Sequence, residues 1–173
     1  MRQGWAVWLT GLPASGKSTI AAQLLKILAG AGVGAQVLES DAVRRVLTPA
    51  PTYSPQERET FYTSLVYIGG LLADNGVNVV FDATANRLRW RDAARLRFSS
   101  FMEVYVETPL EVCASRDPKG IYRAAASGEA RYVPGAQDEY EPPTRPELKL
   151  DGRLNPAVEA ERLYEEMVAR GFV

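Results

Sequence analysis

Nine residues, Gly11-Leu12-Pro13-Ala14-Ser15-Gly16-Lys17-Ser18-Thr19, constrain this chain more than anything else in it. Gly11, followed after four residues by Gly16-Lys17-Ser18, makes a complete P-loop pattern. The apolar run Trp5-Ala6-Val7-Trp8-Leu9 precedes it, and Thr19-Ile20-Ala21-Ala22-Gln23-Leu24-Leu25 follows with helical spacing. A strand therefore feeds a glycine-rich loop that opens a helix, which is the context the motif needs. Glycines let successive N–H groups turn inward around a phosphate, and the helix N-terminus adds partial positive charge. In such a loop the lysine reaches the β- and γ-phosphates and the serine hydroxyl ligates Mg²⁺. The candidate ATP-binding residues are thus Gly11, Ala14, Ser15, Gly16, Lys17, Ser18 and Thr19, with Lys17 also a catalytic candidate. The plain alternative is an ordinary glycine-rich turn carrying a solvated lysine.

Composition narrows the chemistry. A chain of 173 residues, 46% apolar and 24% charged, suits one soluble domain spanning 1–173 with a normal core. The net charge of −1 leaves no global basic footprint, so nucleic acid is disfavoured as a partner. Cys113 is the one cysteine, which excludes an internal disulfide and a thiolate metal cluster. There is no histidine, so acid–base work falls to a carboxylate, Lys or Tyr. No apolar stretch approaches membrane-spanning length, and a cytoplasmic enzyme with no membrane partner is the expectation.

Apolar runs at 4–10, 35–38, 77–82 and 101–107, with a weaker one at 148–150, alternate with helix signals. Ser54-Pro55-Gln56-Glu57 reads as a capping box with proline at the first helical position. Phe61, Leu65, Ile68 and Leu72 keep one face of the helix that follows, and Asn75-Gly76 ends it. Thr108-Pro109 and Asn155-Pro156 repeat the start signal. The last helix carries Ala160, Leu163, Tyr164, Met167 and Val168 on one stripe. The pattern predicts an α/β fold of the P-loop type, a parallel sheet of about five strands flanked by helices. The stretch 117–147, rich in Gly, Pro and charge, has little periodicity and reads as a mobile active-site lid.

P-loop proteins divide into switches, motors and small-molecule kinases. The size argues against a motor, and no N-K-x-D guanine-reading motif is present. A kinase also needs an acceptor site, a group beside the attacking hydroxyl and cations over the phosphates. Asp41, just past the second strand, is the candidate for the hydroxyl, because ligands of open parallel sheets sit beyond the strand C-termini. Its bland reading is an N-cap for a helix over 41–47, a role that Ser40 would fill equally well. Asp82 ends Val79-Val80-Phe81-Asp82 where a Walker-B aspartate would join Ser18 in a Mg²⁺ shell, or it is a turn residue. Arg44 shares a helix face with Asp41, and Arg44 or Arg58 could hold an anion in bidentate fashion. Arg87, Arg91 and Arg95 form an i, i+4, i+8 stripe that reads mostly as a solvated face, with Arg87 the one nearest the active site. Arg116, Lys119, Arg123 and Arg131 place cations on the lid. Tyr53 and Tyr132 could sandwich a purine, or simply pack on the edge of the core.

The block Glu103-Val104-Tyr105-Val106-Glu107-Thr108-Pro109-Leu110-Glu111-Val112-Cys113, running into Arg116-Asp117-Pro118-Lys119-Gly120-Ile121-Tyr122, resembles the adenylylsulfate (adenosine 5′-phosphosulfate, APS) kinase family. It is similar to the family's strand, helix and R-D-P-K-G-L-Y lid signature, and Tyr140-Glu141-Pro142-Pro143 looks like its Y-E-x-P. The resemblance implies transfer of the γ-phosphoryl of MgATP to the 3′-hydroxyl of APS, and a homodimer. It implies that Asp41 assists that hydroxyl; Arg116, opening the lid, is a further ATP-binding candidate. The resemblance places Arg44, Tyr53, Arg58, Lys119, Ile121 and Tyr132 at the APS site, and Thr84, just past the third strand, is a further substrate-binding candidate. Departures from the family pattern are Glu39 for Asp, Phe61 for Asn, Thr63 for Arg and Ala126 for a lid Arg. Another is Phe81-Asp82-Ala83-Thr84 where the family shows F-I-S-P. The D-A-T is more like kinases acting on other nucleotide or polynucleotide hydroxyls, which is the alternative reading. A weakly active nucleotide-binding module is a third.

Overall fold

The computed structural model of the protein describes residues 3–173. Five parallel strands, β1 (Ala6–Thr10), β2 (Ala35–Glu39), β3 (Asn78–Asp82), β4 (Phe101–Glu107) and β5 (Leu148–Asp151), pair in the order β2-β3-β1-β4-β5. Helices are α1 (Lys17–Gly30), α2 (Ser40–Leu47), α3 (Pro55–Asp74), α4 (Leu88–Arg97), α5 (Leu110–Arg116), α6 (Ile121–Ala126) and α7 (Pro156–Ala169). The predicted class and all five strand positions hold. β1 pairs with β3 on one side and β4 on the other, so the order reverses at its C-terminal end and a crevice opens there.

Strand alternation builds two cores. Val7 and Leu9 of β1 join Val80, Met102, Val104 and Val106 under Ile20, Leu24 and Leu28 of α1 and Leu163 and Met167 of α7. Ala6 and Trp8 face the other way, with Val79 and Phe81, onto Phe61 and Leu65 of α3 and Trp90, Ala94 and Phe98 on the α4 side. Both faces of the sheet are covered, as its near-continuous apolar strands require. The stacked rings of Trp8 and Phe81, with centroids 4.5 Å apart, lie in this second core.

The helix starts divide. Ser54 accepts from the Glu57 N–H (3.3 Å) and Asn155 from the Ala157 N–H (2.9 Å), as predicted. Glu57, however, reaches past Ser54 to the N–H groups of Thr52 (2.7 Å) and Tyr53 (3.1 Å). Thr108 caps nothing. Its hydroxyl donates to the Ser15 carbonyl (2.9 Å) and ties β4 to the P-loop. On α7, Ala160, Leu163 and Met167 of the predicted stripe are buried, but Val168, predicted with them, is exposed.

Two readings need larger correction. Segment 117–147 is not structureless. It carries α6, which opens at Gly120 in the left-handed region (φ 68) and buries Tyr122 and Ala125 against Cys113 and Val133. The arginine stripe of α4 is not a solvated face either. Arg91 is buried and donates to Glu103 (2.7 Å) and to the Glu141 carbonyl (2.5 Å). Arg95 pairs with Glu147 (2.9 Å). Arg87 turns to the segment before β5, bonding Asp138 (2.6 Å), Glu139 (3.0 Å) and Glu141 (3.1 Å) rather than the active site. A stripe of like charges reads as solvated only until carboxylates from distant segments arrive.

Candidate active site

Residues 11–19 wrap the C-terminal end of β1 and open α1, with Gly11 (φ 151) and Gly16 (φ 108) in conformations that favour glycine. Ala14 also lies in the left-handed region (φ 63). The loop is braced from outside. Tyr122 donates to the Pro13 carbonyl (2.9 Å), and a side chain at Gly152 would strike the Ser15 carbonyl and the Thr108 hydroxyl. Lys17 is buried and donates to the carbonyls of Gly11 (2.9 Å) and Leu12 (2.8 Å). Burial holds its ammonium below the ordinary lysine pKa, and the Asp82 carboxylate opposes that shift. Asp82, also buried, ends β3 and faces the same cleft as Ser18.

That cleft, about 490 Å³, brings together Ala14, Ser15, Gly16, Lys17, Ser18 and Thr19 with Asp41, Asp82, Thr84 and Arg116. Gly152, Leu154 and Pro156 close its far side. Sequence reading missed these three, since only β5 pairing beside β4 delivers them. A second cleft, about 520 Å³, is lined by Arg44, Tyr53, Arg58, Lys119, Ile121 and Tyr132 among others. Pro13, Ser40, Asp41, Thr84, Lys119 and Ile121 line both, so the two clefts meet at Asp41. Asp41 is not a helix cap. α2 begins at Ser40, Glu39 holds the cap position without a side-chain bond, and Asp41 sits in the first turn. Lys119 donates to its carboxylate, and that bond holds the Lys119 ammonium above its ordinary pKa.

The second cleft is built around two cations with different duties. Arg44 is buried, its guanidinium 3.7 Å from the Phe61 ring centroid and 5.0 Å from that of Tyr53. Such stacking leaves the N–H edge of the guanidinium for hydrogen bonding, and one of its N–H groups meets the Glu57 carboxylate (3.4 Å). Arg58 is spent largely on the protein. It donates to the carbonyls of Tyr53 (3.0 Å) and Tyr132 (2.6 Å) and to the Asn86 side chain (2.9 Å). Tyr53 (φ 56) and Tyr132 (φ 61) are both left-handed, a costly backbone that persists where surroundings over-determine it. Both tyrosines remain more than a third exposed (38% and 39%), with ring surface free to meet a ligand.

A sequence profile of the adenylylsulphate kinase family matches residues 3–151. The chain belongs to this family. It is 38% identical over 172 residues to a probable adenylyl-sulfate kinase of Pyrococcus abyssi, covering 99% of each chain. It is 36% identical to an adenylyl-sulfate kinase of Rippkaea orientalis, over 99% of this chain and 96% of the relative. An APS kinase of Mycobacterium tuberculosis, solved in complex with AMPPNP and APS, superposes with a TM-score of 0.91. The two are 32% identical, and the match covers 97% of this chain and 99% of the other.

Set against the family pattern, Thr84 is the one departure that lines the second cleft. Phe61 is buried beneath Arg44, while Thr63 and Ala126 are exposed and line neither cleft. Glu39 and Asp82 line the P-loop cleft. Among the described residues, no cluster of three or more His, Cys, Asp or Glu side chains converges as a metal-ligand set, and no helix is long and apolar enough to cross a membrane.

Proposed function

We propose that the protein transfers the γ-phosphoryl group of MgATP to the 3′-hydroxyl of APS, yielding ADP and 3′-phosphoadenylyl sulfate. The observation that carries this reading is the meeting of two clefts at Asp41, one built on the P-loop and one on Arg44 and two exposed tyrosines. The triphosphate lies in the P-loop amides with Lys17 at its β- and γ-phosphates, and Arg116 with Leu154 lines the way out for the base. The adenylyl group of APS enters between Tyr53 and Tyr132, its anionic tail toward Arg44. The O3′–Pγ bond forms as the bond from Pγ to the β,γ-bridging oxygen breaks, and the hydroxyl proton passes toward Asp41. Lys119, on the lid and bonded to Asp41, brings a cation to the junction. Most of the rate enhancement then comes from positioning and charge neutralisation.

Ser18 and Asp82 supply the oxygen donors a hard cation prefers, and Mg²⁺ commonly completes such shells with phosphate and water. When bound there, Mg²⁺ neutralises charge on the phosphate oxygens.

ADP release with ATP alone, then with APS, then with nucleosides and oligonucleotides, tests the assignment. Turnover that depends on APS is expected. Stimulation only by another acceptor, or slow hydrolysis indifferent to any acceptor, replaces it.

Two variants separate the clefts. Lys17→Met should abolish measurable MgATP binding in calorimetry, yet leave the thermal midpoint of the unliganded protein unchanged or higher. The sign follows from the depressed lysine pKa. Between the folded value and the ordinary lysine value of 10.5 the unfolded chain binds more protons, so Lys17's contribution to stability rises with pH across that window. Below it the buried cation costs stability, and Met removes that cost. A lower midpoint with retained binding would contradict both statements. Tyr132→Ala should raise the KM for APS by roughly 5- to 150-fold, the loss of one stacked base, while the KM for ATP changes little. Equal effects on both substrates count against the stacking role.

A further inference from the structure

We infer that Asn86 is a positioning residue that sets the acceptor cleft by holding Arg58 and the far arm of the lid at once. The inference rests on the APS-kinase reading of that cleft. Asn86 follows β3 and its side chain is fully buried. Its Oδ1 accepts from Arg58 (2.9 Å), and its Nδ2 donates to Asp138 Oδ2 (2.9 Å) and to the Glu139 carbonyl (2.8 Å). Its backbone carbonyl accepts from the Glu141 N–H (2.9 Å). One amide thus joins a segment on the α3 helix to a segment more than fifty residues further along the chain.

What Arg58 does with its other donors gives the link its meaning. The same guanidinium holds the carbonyls of Tyr53 and Tyr132, the two residues forced into left-handed backbone at the cleft. Arg58 fixes how far apart those rings stand, and Asn86 fixes Arg58. Orientation matters because an amide is both acceptor and donor. A carboxylate at position 86 would still accept from Arg58, but it would face Asp138 with like charge and could not donate to Glu139. Arg87 already bonds Asp138 Oδ1 (2.6 Å), so the Asp138 carboxylate is shared between the two neighbours. That sharing specifies a rescue. In the pair Asn86→Asp with Asp138→Asn, the new amide donates back to position 86 and its oxygen still accepts from Arg87.

Steady-state kinetics with both substrates tests the role. Asn86→Asp is expected to raise the KM for APS by about tenfold, with the KM for ATP within about twofold. The double variant should recover part of that loss but not all of it, because the Glu139 carbonyl still lacks its donor, and no recovery at all overturns the inference. Loss of kcat with both KM values unchanged, or equal shifts in both, would be the mark of a general structural role and overturns the inference. Asp138→Ala, on the half-buried side of the link, should give the same split without placing a charge in the interior. Limited trypsin digestion of the unliganded protein supplies a reading independent of the acceptor. Cleavage after the exposed Arg131 should accelerate severalfold in Asn86→Asp, and an unchanged rate overturns the tie to the lid. A wild-type enzyme inactive on APS refutes the proposed function. A wild type active on APS with an unsplit Asn86→Asp refutes this inference alone.

Discussion

Asp41→Asn should slow phosphoryl transfer to APS by roughly 10²–10⁴, the usual weight of one general base or orienting group, while MgATP affinity stays near wild type. Asparagine keeps the size of the side chain and loses its charge. The carboxylate lies where the two clefts join, is half-buried, and has Lys119 as its side-chain partner. Its loss therefore orphans no buried group, and the fold should not register the change. The P-loop amides and Lys17 remain, so nucleotide binding persists. The deficit should appear in single-turnover rates and in kcat, with thermal stability as control. Lys119→Ala provides the contrast. It removes a cation from the junction but leaves the acid, so it should weaken binding of both substrates more than it slows chemistry. An Asn variant with wild-type turnover would falsify the assignment of Asp41 to the reacting hydroxyl.

Such a test could be framed from the sequence because the P-loop and Asp41 are local signals. A glycine pattern between an apolar run and a helical run fixes strand, loop and helix within about twenty residues. Strand ends in a parallel sheet then place Asp41 and Asp82 on the ligand side without knowledge of strand order. The readings that failed depended on distant partners. The arginines of α4 find carboxylates on β4 and on the segment before β5, and Asp41 meets Lys119 from 78 residues away. Spacing along a helix reports a face, not what covers it. α6 was missed for another reason. It has six residues and opens on a left-handed glycine rather than on Ser, Thr or Asp, so it shows none of the usual start signals. Arg58 was legible as a cation able to hold an anion. Its role in holding two tyrosine carbonyls depends on backbone conformations that residue identity does not announce, since tyrosine seldom adopts positive φ.

The largest stability effect should come from Arg91, a residue whose sequence context suggested only solvent. Its side chain is fully buried (0% exposed), Glu103 beside it is 6% exposed, and they meet at 2.7 Å. The remaining donors of Arg91 serve the carbonyls of Ala85 and Glu141. Removing one partner of a buried pair leaves an uncompensated charge, which costs about 3–5 kcal/mol. Arg91→Met should therefore lower the thermal midpoint by roughly 6–20 °C in a chain of this size. Arg95, 3.3 Å from Glu103, offsets part of the loss and favours the lower half of that range. Replacing both partners, Arg91→Met with Glu103→Leu, removes the stranded charge and should recover much of the stability. Recovery stays incomplete, because the Ala85 and Glu141 carbonyls still lack a donor, at about 1–3 kcal/mol for each that water cannot reach. The incomplete part carries functional weight. Ala85 is held in a left-handed backbone (φ 39) by Arg91 on its carbonyl and by the Tyr62 hydroxyl on its N–H (3.1 Å). It stands between Thr84, which lines both clefts, and Asn86. Even the stability-restored double variant should therefore show a raised KM for APS. A single variant that unfolds within 2 °C of wild type would mean that the pair is solvated in solution, and that the Ala85 turn is held by something other than Arg91.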